Sequence, residues 1–375
     1  MALGSKKLFM VVNVDWFFLS HRLPIALAAK NAGYQVTIVT GDTGKLSQIA
    51  SYGLDVINFP FKRNKSGILN ELKALLFLAK IYRQQNPSIV HLVGFKLILF
   101  GTIAGFLSGT KPKIVNALSG AGTLFTNGQG LPLSIAVLLK LFNFSTRKED
   151  HYIFQNEDDL ALFKTICPKV ATFTLIKGSG VDLNQFQATP LPQNTPKQII
   201  FVGRILREKG IFELIEAANS LKNELIGKVK FIFIGDIDQD NPSSLTTLEM
   251  NKLMDNGYTE WHGHQKNVFE YIKNAYLVVS PSYREGLPKT LIEACAVGRP
   301  IITTDTVGCK EVVNQGENGF LVPVKDSKIL AEKIKFMIEN PTIAQEMGVQ
   351  GRKRAETEFD LNIIIKKTLA IYAHL

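Results

Sequence analysis

The feature that most constrains the fold is a regular alternation of short apolar runs with helical segments. Residues 8–14 are apolar enough for a buried strand, residues 24–31 have a helical pattern, and residues 35–40 form a second apolar run. The alternation continues with helices predicted over 46–52 and 68–85 and strands over 56–59 and 89–93. Strands that alternate with helices indicate parallel strands joined by crossover helices. The sequence therefore predicts an α/β protein built on a doubly wound parallel sheet.

The length of the chain indicates two domains. It has 375 residues, which is more than a single hydrophobic core usually holds. Residues 187–197 contain three prolines and no apolar period, which is typical of a linker. We therefore expect a first Rossmann-like domain over residues 1–186 and a second over residues 198–358.

The composition is that of an ordinary folded protein. Hydrophobic residues make up 46% of the chain and charged residues 20%, and the three cysteines lack the paired spacing of a disulfide framework or zinc site. Scattered cysteines fit a reducing compartment, and no apolar run reaches the roughly 18 residues that a membrane span needs. We therefore expect a cytoplasmic protein without a transmembrane helix.

The positive charge is concentrated in the first half. Residues 1–190 contain 20 Lys and Arg against 10 Asp and Glu, whereas residues 191–375 contain 23 of each. A basic half could bind nucleic acid, anionic phospholipid or an anionic substrate. Nucleic acid is disfavoured because no aromatic stacking platform interleaves the basic residues. Two amphipathic stretches near cations, residues 68–83 and 131–144, favour docking on an anionic membrane, although core helices explain their apolar positions equally well.

The strongest candidate site lies within residues 276–322. A short apolar strand there ends at a proline, and Pro288 opens a helix with an apolar stripe. Glu285 lies in the loop at the carboxyl end of the strand, and Glu293 follows inside the helix after seven intervening residues. In open α/β sheets, ligands bind at the carboxyl ends of strands, so both acids are placed to meet one ligand.

The backbone between the two acids is a candidate phosphate seat. Gly286 and Leu287 present backbone N–H groups near the start of a helix, where anions bind readily. The alternative is that Glu285 is an acid favoured by the helix dipole and Glu293 is a solvated helix residue.

Two further motifs follow apolar strands in the second half. Arg204 and Lys209 are two cations at the mouth between a strand and the next helix, the arrangement that a diphosphate requires. Asp236 and Asp238 form a D-x-D motif, which metal-dependent glycosyltransferases of the GT-A class use to bind a divalent cation and a nucleotide sugar. The motif therefore leaves a metal site open as an alternative.

The segment SYREGLPKTLIEACAVGRPII, with GCKEVV and ENGFLV downstream, resembles the nucleotide-sugar site of retaining glycosyltransferase family four, which has the GT-B fold. The resemblance implies two Rossmann-like domains facing across a cleft, with a last helix, about residues 359–375, that crosses back to the first domain. It also implies transfer from a UDP-sugar with retention of the anomeric configuration, without a metal or other cofactor.

The resemblance assigns roles to individual residues of the second domain. Arg204 and Lys209 would hold the diphosphate and stabilise the charge of the leaving group. Glu285 would contact hydroxyls of the donor sugar, and Glu293 would contact the ribose. The implied donor-binding residues are Gly203, Arg204, Lys209, Glu285, Gly286, Leu287 and Glu293, and the implied catalytic residues are Glu285, Arg204 and Lys209.

The first half resembles, more loosely, the branch of the family that extends polyprenyl-diphosphate-linked saccharides, which includes N-acetylgalactosaminyl and other N-acetylhexosaminyl transferases. FFLSHRLPIA and VHLVGFK carry this resemblance. The acceptor-binding residues that it implies are Asn13, His21, Arg22, His91 and Lys96. Two structural alternatives remain open, namely a packed His21 beside a helix-capping Ser20 and a core histidine at position 91.

The expected reaction is transfer of an N-acetylhexosamine or hexose from a UDP-sugar to a polyprenyl-diphosphate-linked sugar in bacterial surface-polysaccharide or glycan assembly. The expected location is the inner face of the plasma membrane, bound peripherally through the basic first domain. One alternative is a nucleotide-sugar 2-epimerase of the same fold, which needs no acceptor. Another is a non-catalytic basic protein that binds membrane or RNA.

Overall fold

The computed structural model describes residues 6–60, 68–120, 133–238, 241–255 and 257–375. The chain divides into two compact units. One comprises the chain up to Ser179 together with Ile364–Leu375, and the other comprises Gly180–Ile363.

The first unit is built on one parallel sheet of seven strands. They are β1 (Lys7–Val14), β2 (Gln35–Gly41), β3 (Asp55–Asn58), β4 (Ile89–Val93), β5 (Lys113–Ala117), β6 (His151–Phe154) and β7 (Thr172–Leu175). Their order in the sheet is β3-β2-β1-β4-β5-β6-β7, with every pairing parallel. The helices between them are α1 (Asp15–His21), α2 (Leu23–Asn31), α3 (Leu46–Ser51), α4 (Ile68–Gln85), α5 (Phe95–Ser108), α6 (Leu133–Ser145) and α7 (Glu157–Ile166).

The second unit repeats this architecture with six parallel strands. They are β8 (Lys197–Val202), β9 (Val229–Ile234), β10 (Thr259–Trp261), β11 (Ala275–Ser280), β12 (Ile301–Thr304) and β13 (Gly319–Val322), in the order β10-β9-β8-β11-β12-β13. The helices are α8 (Ile211–Leu225), α9 (Thr247–Leu253), α10 (Val268–Asn274), α11 (Lys289–Val297), α12 (Ser327–Glu339) and α13 (Pro341–Arg354), and the last helix, α14 (Leu361–His374), belongs to the first unit from Ile364 onward. A short 3-10 turn (Arg207–Lys209) precedes α8.

Both sheets are covered on both faces, as parallel sheets normally are. Alternate residues of β1 belong to two separate apolar clusters, one shared with α4 and α5 and the other with α2 and α3. From Ile364 onward α14 packs with the second of these clusters through Ile364, Ile371 and Tyr372. The prediction of two doubly wound parallel-sheet domains, with the last helix returning to the first, is confirmed.

The elements predicted for the first half are confirmed within about two residues, with one exception. The short helix α1, which directly follows β1, was not among the predicted elements. Asp15 starts this helix and is buried. Its carboxylate accepts hydrogen bonds from the backbone amides of Thr43 and Lys45 at 2.7 and 2.9 Å, which offset the cost of burying it. These bonds join the end of β1 to the segment after β2, which could not be foreseen from local sequence.

The segment 187–197, predicted as a linker, is packed into the second unit. Leu191 is buried in the core of that unit. The amide of Thr189 donates to the carbonyl of Val297 at 3.2 Å, and the carbonyl of Thr189 accepts from the buried guanidinium of Arg299 at 2.9 Å. The prolines therefore mark an ordered segment that is held along the surface of the second unit, and the division between the units falls earlier, after Ser179.

Candidate functional site

Residues of the predicted donor site and of the alternative metal site lie just after three neighbouring strands of the second sheet. Arg204 and Lys209 follow β8, the D-x-D motif follows β9, and Glu285 follows β11. Because β9, β8 and β11 are adjacent and parallel, all three loops emerge at the same edge of the sheet. This is the edge at which open α/β sheets bind ligands.

Lys209 and Glu285 meet across this edge. Their side chains form an ion pair and are only 19% and 15% exposed. The backbone supports the contact, because the amide of Tyr283 donates to the carbonyl of Glu208 at 2.9 Å. The Tyr283 hydroxyl also donates to the Glu213 carboxylate at 2.7 Å and so ties the loop to the start of α8. The loop after β11 and the 3-10 turn are thus held together at the point where both site residues lie.

Arg204 meets the D-x-D motif. Its Nη1 lies 2.7 Å from Oδ2 of Asp238, while the exposed Asp236 accepts a hydrogen bond from the neighbouring amide of Ile237 at 3.0 Å. The two carboxylates therefore have different partners. Across the described residues, no group of three or more His, Cys, Asp or Glu side chains is placed to hold a metal ion.

Glu293 is buried, which excludes its interpretation as a solvated helix residue. Its side chain is 10% exposed, and every residue from Leu291 to Val297 of α11 is buried. Burial raises the pKa of the Glu293 carboxyl, against the opposing effect of the Lys289 ammonium 3.5 Å away. A buried acid that keeps one long ion pair is an expensive feature for a fold to retain.

A glycine in the next loop supports the segment between the two acids. Gly308 has φ +85°, and a Cβ at this position would collide with the carbonyl oxygens of Glu285 and Gly286. The amide of Glu285 donates to the carbonyl of Val307 at 3.2 Å. Gly286 and Leu287 therefore run along the loop after β12 before α11 begins at Lys289, with Pro288 as its N-cap residue. A phosphate contact by their amides stays a prediction.

Gly203 lies where β8 ends and contacts the turn after β9. Its amide donates to the carbonyl of Ile234 at 2.9 Å, and its own carbonyl lies so close to Gly235 that no Cβ fits there. This close approach brings the segment containing Arg204 beside the segment containing Asp238.

Arg22 and His91, predicted to bind the acceptor, are buried in the first unit. Nδ1 of His91 forms a hydrogen bond with the Tyr372 hydroxyl of α14, and Nη1 of Arg22 donates to the carbonyl of His21 at 3.2 Å. Burial lowers the pKa of His91 to about 3, assisted by the charge of Arg22, and lowers that of Arg22 to about 10. His91 is therefore neutral near pH 7 and poorly suited to carry a proton, which favours the core-histidine interpretation.

The space beside these two side chains is small. Arg22, His91, Gln155 and Thr368 line a cavity of about 20 Å³. That volume suits one or two water molecules and excludes a sugar. Direct acceptor contact by Arg22 or His91 stays a prediction that requires this region to open.

The remaining acceptor-side residues are more accessible. His21 stacks on Phe17 with ring centroids 4.3 Å apart, and its Nδ1 lies 2.5 Å from the Ser20 hydroxyl. Lys96 forms an ion pair with Glu71 at 2.6 Å. Asn13 lies half-buried at the end of β1. None of these contacts excludes an acceptor, and none identifies one.

Comparison with known proteins assigns a class to this arrangement. Residues 7–156 match the family described as glycosyl transferase 4-like, and residues 184–354 match the family described as glycosyl transferases group 1. The chain is therefore a glycosyltransferase of the GT-B class, with a glycosyl transferase 4-like first domain and a group 1 second domain.

Two curated relatives are similar along almost their whole length. The chain is 26% identical to the N,N'-diacetylbacillosaminyl-diphospho-undecaprenol alpha-1,3-N-acetylgalactosaminyltransferase of Campylobacter jejuni, over 95% of this chain and 97% of that protein. It is 28% identical to the capsular polysaccharide biosynthesis glycosyltransferase CapM of Staphylococcus aureus, over 98% and 97%.

Solved structures agree with the fold. A glycosyltransferase from Rickettsia africae superposes with a TM-score of 0.77 at 19% identity, covering 99% of this chain and 98% of that one. HepE from Anabaena, solved in complex with UDP and glucose, superposes with a TM-score of 0.78 at 17% identity, covering 99% of this chain and all (100%) of that one.

Two contributors to the site and one contact were not predicted from the sequence. Tyr283 and Gly308 position the loop that carries Glu285, and Asp238, considered from the sequence as a metal ligand, is the ion-pair partner of Arg204. The role of Gly308 could have been predicted, because a glycine in a loop after a strand often marks a positive φ and a close approach of two backbone segments. The ion pair could not, because its members are 34 residues apart.

Proposed function

We propose that the protein transfers an N-acetylhexosamine or hexose from a UDP-sugar to a polyprenyl-diphosphate-linked sugar, with retention and without a metal. The observation that carries the proposal is the convergence of Arg204, Lys209 and Glu285 at the carboxyl edge of the second sheet, beside the helix that buries Glu293. Two cations and two acids at this edge suit a ligand with a diphosphate at one end and hydroxyl-rich sugars at the other.

The chemistry requires charge stabilisation more than a protein nucleophile. The bond between the anomeric carbon and the diphosphate oxygen breaks as the acceptor oxygen bonds to that carbon from the same face. The proton of the acceptor hydroxyl passes to the departing diphosphate. Arg204 and Lys209 would neutralise the charge that develops on the diphosphate, which is the work a metal ion does in other transferases. Glu285 would hold the donor sugar, and Glu293 would hold the ribose.

The nucleotide and the acceptor are proposed from the relatives. HepE binds UDP, and the Campylobacter relative is named for transfer to a diphospho-undecaprenol acceptor. A diphosphate acceptor is anionic, which matches the excess of Lys and Arg within residues 1–190. The proposed setting is bacterial surface-polysaccharide or glycan assembly at the inner face of the plasma membrane.

A product assay tests this proposal. The protein is incubated in EDTA with a panel of UDP-sugars and a short-chain polyprenyl-diphosphate sugar, and products are identified by mass spectrometry and by the anomeric proton coupling. We expect a lipid-linked disaccharide with the donor's anomeric configuration. Conversion of a UDP-sugar to its C2 epimer without acceptor would favour the epimerase instead, and no turnover of any donor would contradict both.

The first unit also presents a surface suited to an anionic membrane. Seven of the fifteen exposed large apolar side chains among the described residues lie on only three adjacent helices, α4, α5 and α6. They are Leu72, Leu76, Phe106, Leu107, Val137, Leu141 and Phe144. Exposed cations on or just after the same helices are Lys73, Lys80, Arg83, Lys111, Lys140 and Lys148. We name this surface the α4–α6 face. The cations at positions 62, 63 and 65 lie outside the described residues.

The α6 part of this face is an apolar stripe. Val137, Leu141 and Phe144 are spaced by four and three residues, so they share one side of the helix. The ring of Phe144 contacts that of Phe106 with centroids 5.3 Å apart, which joins the stripe to the end of α5. No helix in the described ranges is long and apolar enough to cross a membrane. Apolar side chains bordered by lysines favour an occupant that offers both hydrocarbon and negative charge, and an anionic bilayer does so.

Leu141→Glu should weaken binding to vesicles that contain anionic lipid by about tenfold, because a half-exposed leucine is replaced by a charge that the bilayer repels. Co-sedimentation with vesicles of phosphatidylglycerol and phosphatidylcholine measures the partition. Ile226→Glu is the matched control, since Ile226 is an exposed apolar residue of the second unit. An equal loss of vesicle binding in both variants, or no loss in Leu141→Glu, would contradict membrane binding through the α4–α6 face.

A further inference from the structure

The contact between Arg204 and Asp238 has a consequence for ligand binding. The guanidinium that is proposed to hold the diphosphate is already bound to a carboxylate at 2.7 Å. Asp238 occupies Nη1, which is one of the donors that a phosphate would use in a bidentate contact with the guanidinium. The two acceptors therefore compete for Arg204.

The backbone around Asp238 is fixed, so the carboxylate cannot move far when it is displaced. The amide of Asp238 donates to the Ser244 hydroxyl at 3.0 Å, and that hydroxyl donates to the carbonyl of Ile205 at 3.1 Å. The amide of Ile205 donates to the carbonyl of Asp236 at 3.0 Å. These bonds hold the D-x-D segment against the segment that carries Arg204. Rotation of the Asp238 side chain would free Arg204 and still leave a negative charge near the phosphate.

We propose that Asp238 is a built-in competitor of the diphosphate, which weakens nucleotide binding at Arg204 and so sets the affinity for substrate and product. The proposal rests on the function proposed above. The metal interpretation of the D-x-D motif predicts the opposite change in nucleotide affinity. Loss of a metal ligand weakens nucleotide binding, whereas loss of a competitor strengthens it. Glu285 pairs with Lys209 in a similar way, but Glu285 is itself proposed to hold the donor sugar. Substitution of Glu285 would therefore change sugar binding as well as competition, whereas substitution of Asp238 changes only the competition.

The competition also predicts selectivity among ligands. Only a ligand that brings phosphate to Arg204 has to displace the Asp238 carboxylate. Loss of Asp238 should therefore strengthen the binding of ligands that contain phosphate more than the binding of ligands without it. Uridine, which has no phosphate, should bind equally with and without the carboxylate. A purely structural role for Asp238 would change the binding of uridine and UDP together.

The test is titration calorimetry of wild type, Asp238→Asn and Asp236→Asn with UDP and with uridine, once in EDTA and once with added Mg²⁺. Asp238→Asn should bind UDP about three- to tenfold more tightly, the range of a partly exposed ion pair and its residual repulsion. The gain should shrink in high salt, since it is electrostatic. Asp236→Asn removes the same charge two residues away without an ion pair to Arg204 and should change UDP affinity less than about twofold. Asp238→Ala should change it in the same direction as Asp238→Asn.

Each outcome separates the two proposals. If wild type binds UDP and Asp238→Asn binds it equally or more weakly, the competitor role is overturned and the proposed function stands. If binding requires a divalent cation and both Asp variants abolish it, the D-x-D motif is a metal site. If wild type binds no nucleotide at all, the proposed function fails and the competitor role fails with it.

Discussion

Lys209→Met should lower kcat/KM for the donor by about 10²- to 10³-fold, the loss typical when one group that stabilises developing charge is removed. Lys209 is largely buried in its ion pair with Glu285, at the edge where the diphosphate is proposed to leave. Methionine keeps the apolar stem and removes the ammonium, so the effect reports the charge. Steady-state kinetics in EDTA with a UDP-sugar and the lipid acceptor measure it.

Lys222→Met is the matched control for this variant. Lys222 also forms an ion pair in the second unit, with Asp255, but it lies near the C-terminal end of α8 and outside the candidate site. Its kcat/KM should stay within about twofold of wild type, because partly exposed pairs contribute little. A folded Lys209→Met variant with near-normal kcat/KM would contradict the assignment of the diphosphate to this edge.

Glu293→Gln should stabilise the free protein near pH 8 and at the same time weaken UDP binding by about tenfold. Glutamine has the shape of glutamate without its charge, so it removes the cost of an ionised carboxyl in a buried position. It would also remove the proposed charge-assisted hydrogen bonds to the ribose hydroxyls, which typically contribute about 1.5 kcal/mol or more. Thermal unfolding and calorimetric titration with UDP measure the two effects.

The stabilisation should depend on pH with a defined sign. Because the pKa of Glu293 is raised in the folded protein by burial, the folded state binds its proton more tightly than the unfolded state. The stability of the wild-type protein therefore falls as the pH rises from the pKa of Glu293 in the unfolded state to its pKa in the folded state. The advantage of Glu293→Gln should be absent well below the ordinary glutamate pKa of about 4.3, where the carboxyl is protonated in both states, and complete above the folded pKa. An advantage that is independent of pH would mean that packing and not charge is its cause.

The periodic elements of the fold were accessible from the sequence. Apolar runs such as Ile89–Val93 are buried on both faces, and this burial leaves a continuous apolar signal that predicts a parallel strand. The helix α4 was predicted with its observed bounds, 68–85, because its apolar spacing is regular. The class of fold followed from the alternation of these elements alone.

The side chains of the site were partly accessible. Arg204, Lys209, Glu285 and Glu293 were candidates because they lie in or near segments that follow strands, where ligands bind, and the resemblance to glycosyltransferase family four gave them their expected roles. Their contacts were not accessible, since Lys209 and Glu285 are 76 residues apart and meet only because β8 and β11 are neighbours in the sheet. The order of strands is a tertiary property that local sequence does not encode.

Burial of polar side chains was the hardest property to predict. Glu293 and His91 are both buried, one because α11 is covered all round and the other because α14 closes over β4. A helical glutamate and a strand histidine have no local feature that distinguishes a solvated position from a buried one. In both cases the covering residues come from distant parts of the chain.

The most direct test of the central claim is thermal unfolding with UDP, GDP and ADP, each with and without EDTA. At a ligand concentration 100 times the dissociation constant, binding should add about 2.7 kcal/mol to the free energy of unfolding. We expect stabilisation by UDP that EDTA leaves unchanged. Stabilisation that EDTA removes would assign the site to a metal at Asp236 and Asp238, and the absence of stabilisation by any nucleotide would contradict the donor site altogether.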